Sequence, residues 1–203
     1  MTLDRQIDVE ELPVNPQTGT LPVALWGTWL FIATEAMLFA ALISSYFYIR
    51  FGADQWPLGG IEPPELVLAG LGTVLLVSSS LTAHWAERGA GSGSRFQMRL
   101  GLALTVLLGM GFIGIQAYEY THSTFGPTTN AYGSLFFGIT GFHGLHVIVG
   151  LIMLLTVGTV AWRTDRYDAE HHLPLRLAIL YWHFVDIVWI FVFASLYVSV
   201  RLQ

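Results

Sequence analysis

Between Tyr181 and Val198 the chain reads YWHFVDIVWIFVFASLYV, apolar enough to lie in hydrocarbon yet carrying His183 and Asp186 in its first turns. Three residues apart, these two share one face of a helix. A bilayer tolerates such groups only on a face turned toward protein or water. A helix of this kind therefore needs partners, and the rest of the chain supplies them. A span takes about 20 mostly apolar residues. Five segments qualify, at about 21–49, 66–86, 100–118, 132–162 and 177–200. Charged residues are 11% of the 203, against about 25% in a soluble domain. The expected fold class is all-α, a polytopic membrane bundle of five transmembrane helices (residues 21–203) behind a polar tail (residues 1–20).

The breaks between spans carry turn chemistry: FGADQWPLGGIEPPE, ERGAGSGSR, THSTFGPTTN, and the charged RTDRYDAEHHLPLR with Pro174 near the next helix start. The acidic N-terminal stretch lacks the basic start and apolar core of a secretory signal. All nine basic residues are arginine. With five spans, the side of the N-terminus holds Arg5, Arg88, Arg95, Arg99, Arg163, Arg166 and Arg176, and the other side Arg50 and Arg201. Seven against two predicts a cytoplasmic N-terminus. Trp26, Trp29, Trp85, Tyr118, Tyr120, Trp162, Tyr181 and Trp182 fall near span ends, where interface anchors sit. A net charge of −5 offers nucleic acid no basic surface, and the lack of cysteine removes disulfides, thiolate metal sites and cysteine nucleophiles.

A few side chains are costly in lipid. Glu35 lies near the middle of the first span, where a carboxylate costs about 2.5 to 3.5 kcal/mol on insertion scales. It reads either as a proton-handling or lipid-contacting acid, or as a protonated packing group; both require it to face the bundle. In GFHGLHVIVG, His143 and His146 share a face, His146 at a depth similar to Glu35, and Gly141, Gly144 and Gly150 permit close helix approach. A metal site is the functional alternative, since with His183 and Asp186 the inventory resembles a carboxylate–histidine cage. Di-metal bundles need paired Glu-x-x-His motifs and two further glutamates, which the chain lacks. Interhelical hydrogen bonding is the better reading. His183 and Asp186 are expected to lock together as a pair. Glu119 and His84 read as interfacial groups, Glu119 solvated. The run Ser78-Ser79-Ser80 with Thr82 is expected to bond helix carbonyls or a neighbouring helix. There is no P-loop, dinucleotide fingerprint or c-type heme motif.

The runs WGTWLFIATEAMLFAALISSYFYIR, LLVSSSLTAHWA, IQAYEYTHSTFG, AYGSLFFGITGFHGLHVIVG and YWHFVDIVWIFVFASLYV, in that order, resemble subunit III of the heme–copper terminal oxidases. GFHGLHVIVG with YWHFVDIVW is the most specific combination. The long form of that family has seven helices, and this chain resembles the last five, as shorter bacterial members do. The missing pair forms one arm of a lipid-filled cleft in the long form, so that lipid site does not carry over directly. The resemblance implies an accessory subunit in a bacterial plasma membrane, packed on subunit I with subunit II nearby, binding lipid and supporting sustained proton uptake. It implies no catalytic residue, cofactor or metal in this chain, with heme and copper in subunits I and II and phospholipid as a ligand. Glu35, His143, His146, His183 and Asp186 then read as buried structural or proton-related groups. Quinol oxidase subunit III and an accessory protein of nitric oxide reductase are the alternatives within the same fold family. An independent transporter using Glu35 is disfavoured, because no broken helix or inverted repeat marks a midplane substrate site.

Overall fold

The computed structural model describes residues 23–163 and 172–202. The N-terminal tail and most of the charged break before the last span lie outside the described residues. Among the described residues five helices are long and apolar enough to cross a membrane: α1 Val23–Phe51, α2 Leu66–Gly91, α3 Arg95–His122, α4 Ala131–Arg163 and α5 Leu173–Phe193, which continues through one π-helical turn to Arg201. Successive helices run in opposite directions. Asn130 bonds the Leu58 carbonyl and Arg201 the Pro64 carbonyl at one end of the bundle. Arg99 meets the Ala161 carbonyl and Arg176 meets Glu87 at the other.

The glycine-rich break after the second span is shorter than its composition suggests, because α2 continues to Gly91 and α3 starts at Arg95. Only Gly93, at φ +73°, needs glycine for its backbone conformation. Gly89 is helical and serves contact: a Cβ there would stand 2.7 Å from the Met98 nitrogen. At Gly101 a Cβ would stand 2.8 Å from that of Ala86. Lipid gives helices no hydrophobic reason to associate, so such small-residue contacts and polar links hold them together. Thr82 and Thr105 add one such link across α2 and α3, at 2.8 Å.

α5 is the centre of the bundle. Trp182, expected at a membrane interface, is fully buried, and Tyr181, expected there too, is buried. A Cβ on Gly109 of α3 or Gly150 of α4 would come within 2.7 or 2.8 Å of the Trp182 ring. Its indole N–H donates to Ser79 of α2 at 2.9 Å. One indole thus engages three helices, and two glycines make the room for it. Trp189 repeats the pattern a helical stretch later, donating to Thr73 at 2.9 Å and packing on Phe112. Trp26, Trp29, Trp85, Tyr118 and Trp162 stay exposed near helix ends, as anchors do.

α1 is held differently. Its buried residues are Leu25, Ile32, Phe39 and Tyr46, one every seven, so a single narrow stripe faces the bundle. Its far end is fixed by Arg50, which donates to the side chain and carbonyl of Ser199, and by Tyr46, whose hydroxyl accepts from Trp56 at 3.0 Å.

Candidate functional site

Glu35 and His146 meet. Helix α1 carries Glu35 beside its buried stripe, and α4 presents His146 to it with Nε2 at 2.9 Å from the carboxyl Oε2. His146 Nδ1 lies 2.7 Å from the Phe142 carbonyl of its own helix. A carbonyl only accepts, so Nδ1 carries a proton and Nε2 is the atom that faces Glu35. One further proton is then shared: a protonated Glu35 donates to Nε2, or an imidazolium donates to the carboxylate. Either arrangement leaves the pair neutral overall, the condition for sheltering an acid in a bilayer. Phe39, one turn along α1, packs edge-on against the His146 ring at 4.9 Å and screens it from the core. The shared depth of the two residues is readable in the sequence; which of the two α4 histidines reaches the glutamate is not.

His143 does something else. It is fully buried among the rings of Phe39, Phe112 and Trp189, the last at 4.9 Å. Among the described residues neither of its ring nitrogens has a hydrogen-bond partner. The interhelical bond expected for both histidines is therefore made by His146 alone, and His143 fills an aromatic box.

The expected pairing of His183 with Asp186 does not form. His183 Nδ1 lies 2.5 Å from Ser80 Oγ on α2. Asp186 is buried, and among the described residues neither carboxyl oxygen has a hydrogen-bond partner, with Ser80 as the polar group nearby. The serine run thus has a larger part than backbone bonding: Ser79 holds Trp182 and Ser80 holds His183. The two serines are adjacent and so reach adjacent residues of α5, a correspondence the sequence contains but does not announce.

Glu119 corrects a second expectation. It is 7% exposed instead of solvated, and its Oε2 accepts from the Tyr197 hydroxyl at 2.8 Å. The continuation of α5 past its regular end brings Tyr197 over the end of α3, where an interfacial acid would otherwise meet water. Gln116 one turn earlier donates to the Thr140 carbonyl at 2.8 Å, and Tyr120 meets the Thr140 hydroxyl at 2.7 Å. Sequence reading missed Gln116, Thr140 and Tyr197. Gly144, where a Cβ would press on Gln116 at 3.1 Å, is the only sequence sign of that contact. His84 is exposed, 4.0 Å from Glu87.

These polar groups are distributed along separate helix seams. Among the described residues no group of three or more histidine, aspartate or glutamate side chains is placed to hold a metal ion. What the arrangement does chemically is to cross-link helices within the bundle. The model of the cytochrome c oxidase subunit III family matches residues 19–200. The chain belongs to that family. A cytochrome c oxidase subunit 3 from Thermostichus vulcanus is 35% identical over 86% of this chain and 87% of its own length. The Synechocystis sp. protein of the same name is 35% identical over 88% and 77%, and that of Coturnix japonica 38% identical over 85% and 68%. For a subunit III family member, Glu35 with His146, the Ser80–His183 link and the Glu119–Tyr197 link are the mid- and end-membrane ties of the five-helix body.

Proposed function

We propose that the chain is the accessory, non-redox subunit III of a proton-pumping aerobic terminal oxidase in a bacterial plasma membrane, its N-terminus cytoplasmic. In this reading it packs on subunit I, adjoins subunit II, and leaves heme and copper chemistry to them. Family membership across residues 19–200 is the observation that carries the reading. The geometry supports it: Glu35, Glu119, His146 and His183 serve helix–helix links and His143 serves aromatic packing. The chain's contribution is then mechanical and electrostatic. A rigid body buttresses the catalytic subunit, and the Glu35–His146 pair keeps its proton within a neutral unit while tying α1 to α4. Bound lipid belongs to the same reading.

The experiment is purification of the complex through a tag on this chain in mild detergent, with a heme spectrum and the identity of every co-purifying subunit. Heme-bearing partners with a cytochrome c-oxidising activity are expected. Quinol-oxidising activity alone would move the chain to a quinol oxidase, and a nitric oxide-reducing partner to that enzyme's accessory protein. Elution without any heme-bearing partner would refute the oxidase reading.

A further inference from the structure

We propose that the groove between α3 and α4 at the arginine-rich end of the bundle holds one acyl chain of an anionic phospholipid, with its phosphate at Arg99. The proposal gives the lipid part of the functional reading a location. The groove encloses about 360 Å³ and is walled by Leu102 and Val106 of α3 and by Leu154, Leu155 and Gly158 of α4. Trp162 and Arg163 stand at its mouth. From Leu154 to Arg163 a helix rises about 13 Å, close to one leaflet's half of a hydrocarbon core of about 30 Å. Its length thus suits a single chain entering from one interface.

The groove exists because a side chain is missing. A Cβ built at Gly158 meets nothing within 4 Å, so this glycine serves no helix contact, unlike Gly109 or Gly150. The mouth selects the headgroup. Arg99 donates its Nε to the Ala161 carbonyl at 3.1 Å and lies over the Trp162 ring at 5.7 Å, which sets its guanidinium beside the groove entrance. Neither Arg99 nor Arg163 pairs with a carboxylate among the described residues. A phosphate supplies the absent anion through charge-assisted hydrogen bonds, and Trp162, 60% exposed, lies where indoles meet headgroups. A partner's apolar helix would fill the groove and leave both arginines without an anion, and in a zwitterionic lipid the quaternary ammonium beside the phosphate would oppose the two guanidinium groups.

The test is native mass spectrometry of the tagged full chain with whatever co-purifies, after exchange with deuterated phosphatidylglycerol or with phosphatidylcholine. The wild type is expected to retain one more phosphatidylglycerol per chain than Gly158→Leu, which fills the groove. Arg99→Gln should weaken retention about fivefold and abolish the preference over phosphatidylcholine. Arg99→Lys, keeping the charge, should restore most of that preference. Because Arg99→Gln leaves the groove walls intact, it decides the matter even where Gly158→Leu fails to fold. Equal retention in wild type and variants, equal retention of phosphatidylcholine, or loss of a partner subunit in place of a lipid would overturn the proposal. The subunits seen in the same spectra keep the two readings apart: absent heme-bearing partners sink the oxidase reading and leave the lipid result standing.

Discussion

The first and last helices of this bundle are of similar length and composition, yet they are held by different means. In the most apolar stretch of α5, 56% of residues are buried, against 17% in α1. The α5 helix is seated by shape: Trp182 occupies space left by Gly109 and Gly150 and bonds Ser79 as well. The α1 helix touches the bundle along one residue in seven and depends on the Glu35–His146 and Arg50–Ser199 links. In lipid, where apolar burial gives helices no net attraction, a helix is retained either by close packing or by polar ties. The first helix relies on polar ties with little packing, whereas the last adds polar ties to close packing.

That contrast can be broken most severely at the glycines. Gly150→Leu drives a side chain into the Trp182 ring and is expected to cost about 3 kcal/mol or more. The same change at Gly27 of α1, where a Cβ meets nothing within 4 Å, should leave stability nearly unchanged. Unfolding in a denaturing detergent titration, followed by circular dichroism, compares the two. A similar loss at both positions would erase the distinction.

Polar ties come next. Glu35→Leu leaves His146 Nε2 without a partner and is expected to cost about 1 to 3 kcal/mol. Glu35→Gln presents an amide N–H to the same nitrogen and should recover most of that, with assembly into the complex largely intact. Equal, severe losses in both variants would show that charge or proton transfer, not the hydrogen bond, retains α1. The smallest effects belong to α5, where packing carries the helix. Ser80→Ala should cost about 0.6 kcal/mol, the mean for an interhelical hydrogen bond in a membrane. Asp186→Asn, which breaks no hydrogen bond to His183, should cost less still. A larger loss for Asp186→Asn than for Ser80→Ala would restore the His183–Asp186 pairing that the sequence suggests.

How legible this was depends on the kind of force. Hydropathy runs of 20 or more residues answer to solvent alone, so the five spans stand out in the sequence. Their ends do not, because Gly89 and Gly93 look alike in the sequence; one is packed inside a helix and the other turns the chain. That Glu35, His143, His146, His183 and Asp186 turn inward follows from the cost of charge in oil. Which partner each finds does not follow, since helix rotation of a few tens of degrees decides it. His183 takes Ser80 in preference to Asp186 three residues away, and Glu119 is covered by Tyr197 because α5 continues past its regular end. Trp182 misleads in the same way: a tryptophan near a span end reads as an anchor until two distant glycines are seen to receive it.

The dependence of α1 on its polar tie is tested most directly by a double-mutant cycle on Glu35 and His146, read as unfolding free energies of the purified protein. With Glu35→Leu and His146→Leu, a coupling of about 1 kcal/mol is expected, the second substitution costing little once the first is made. Losses that add to within about 0.3 kcal/mol would mean that the two side chains do not act on each other, and that something else keeps α1 on the bundle.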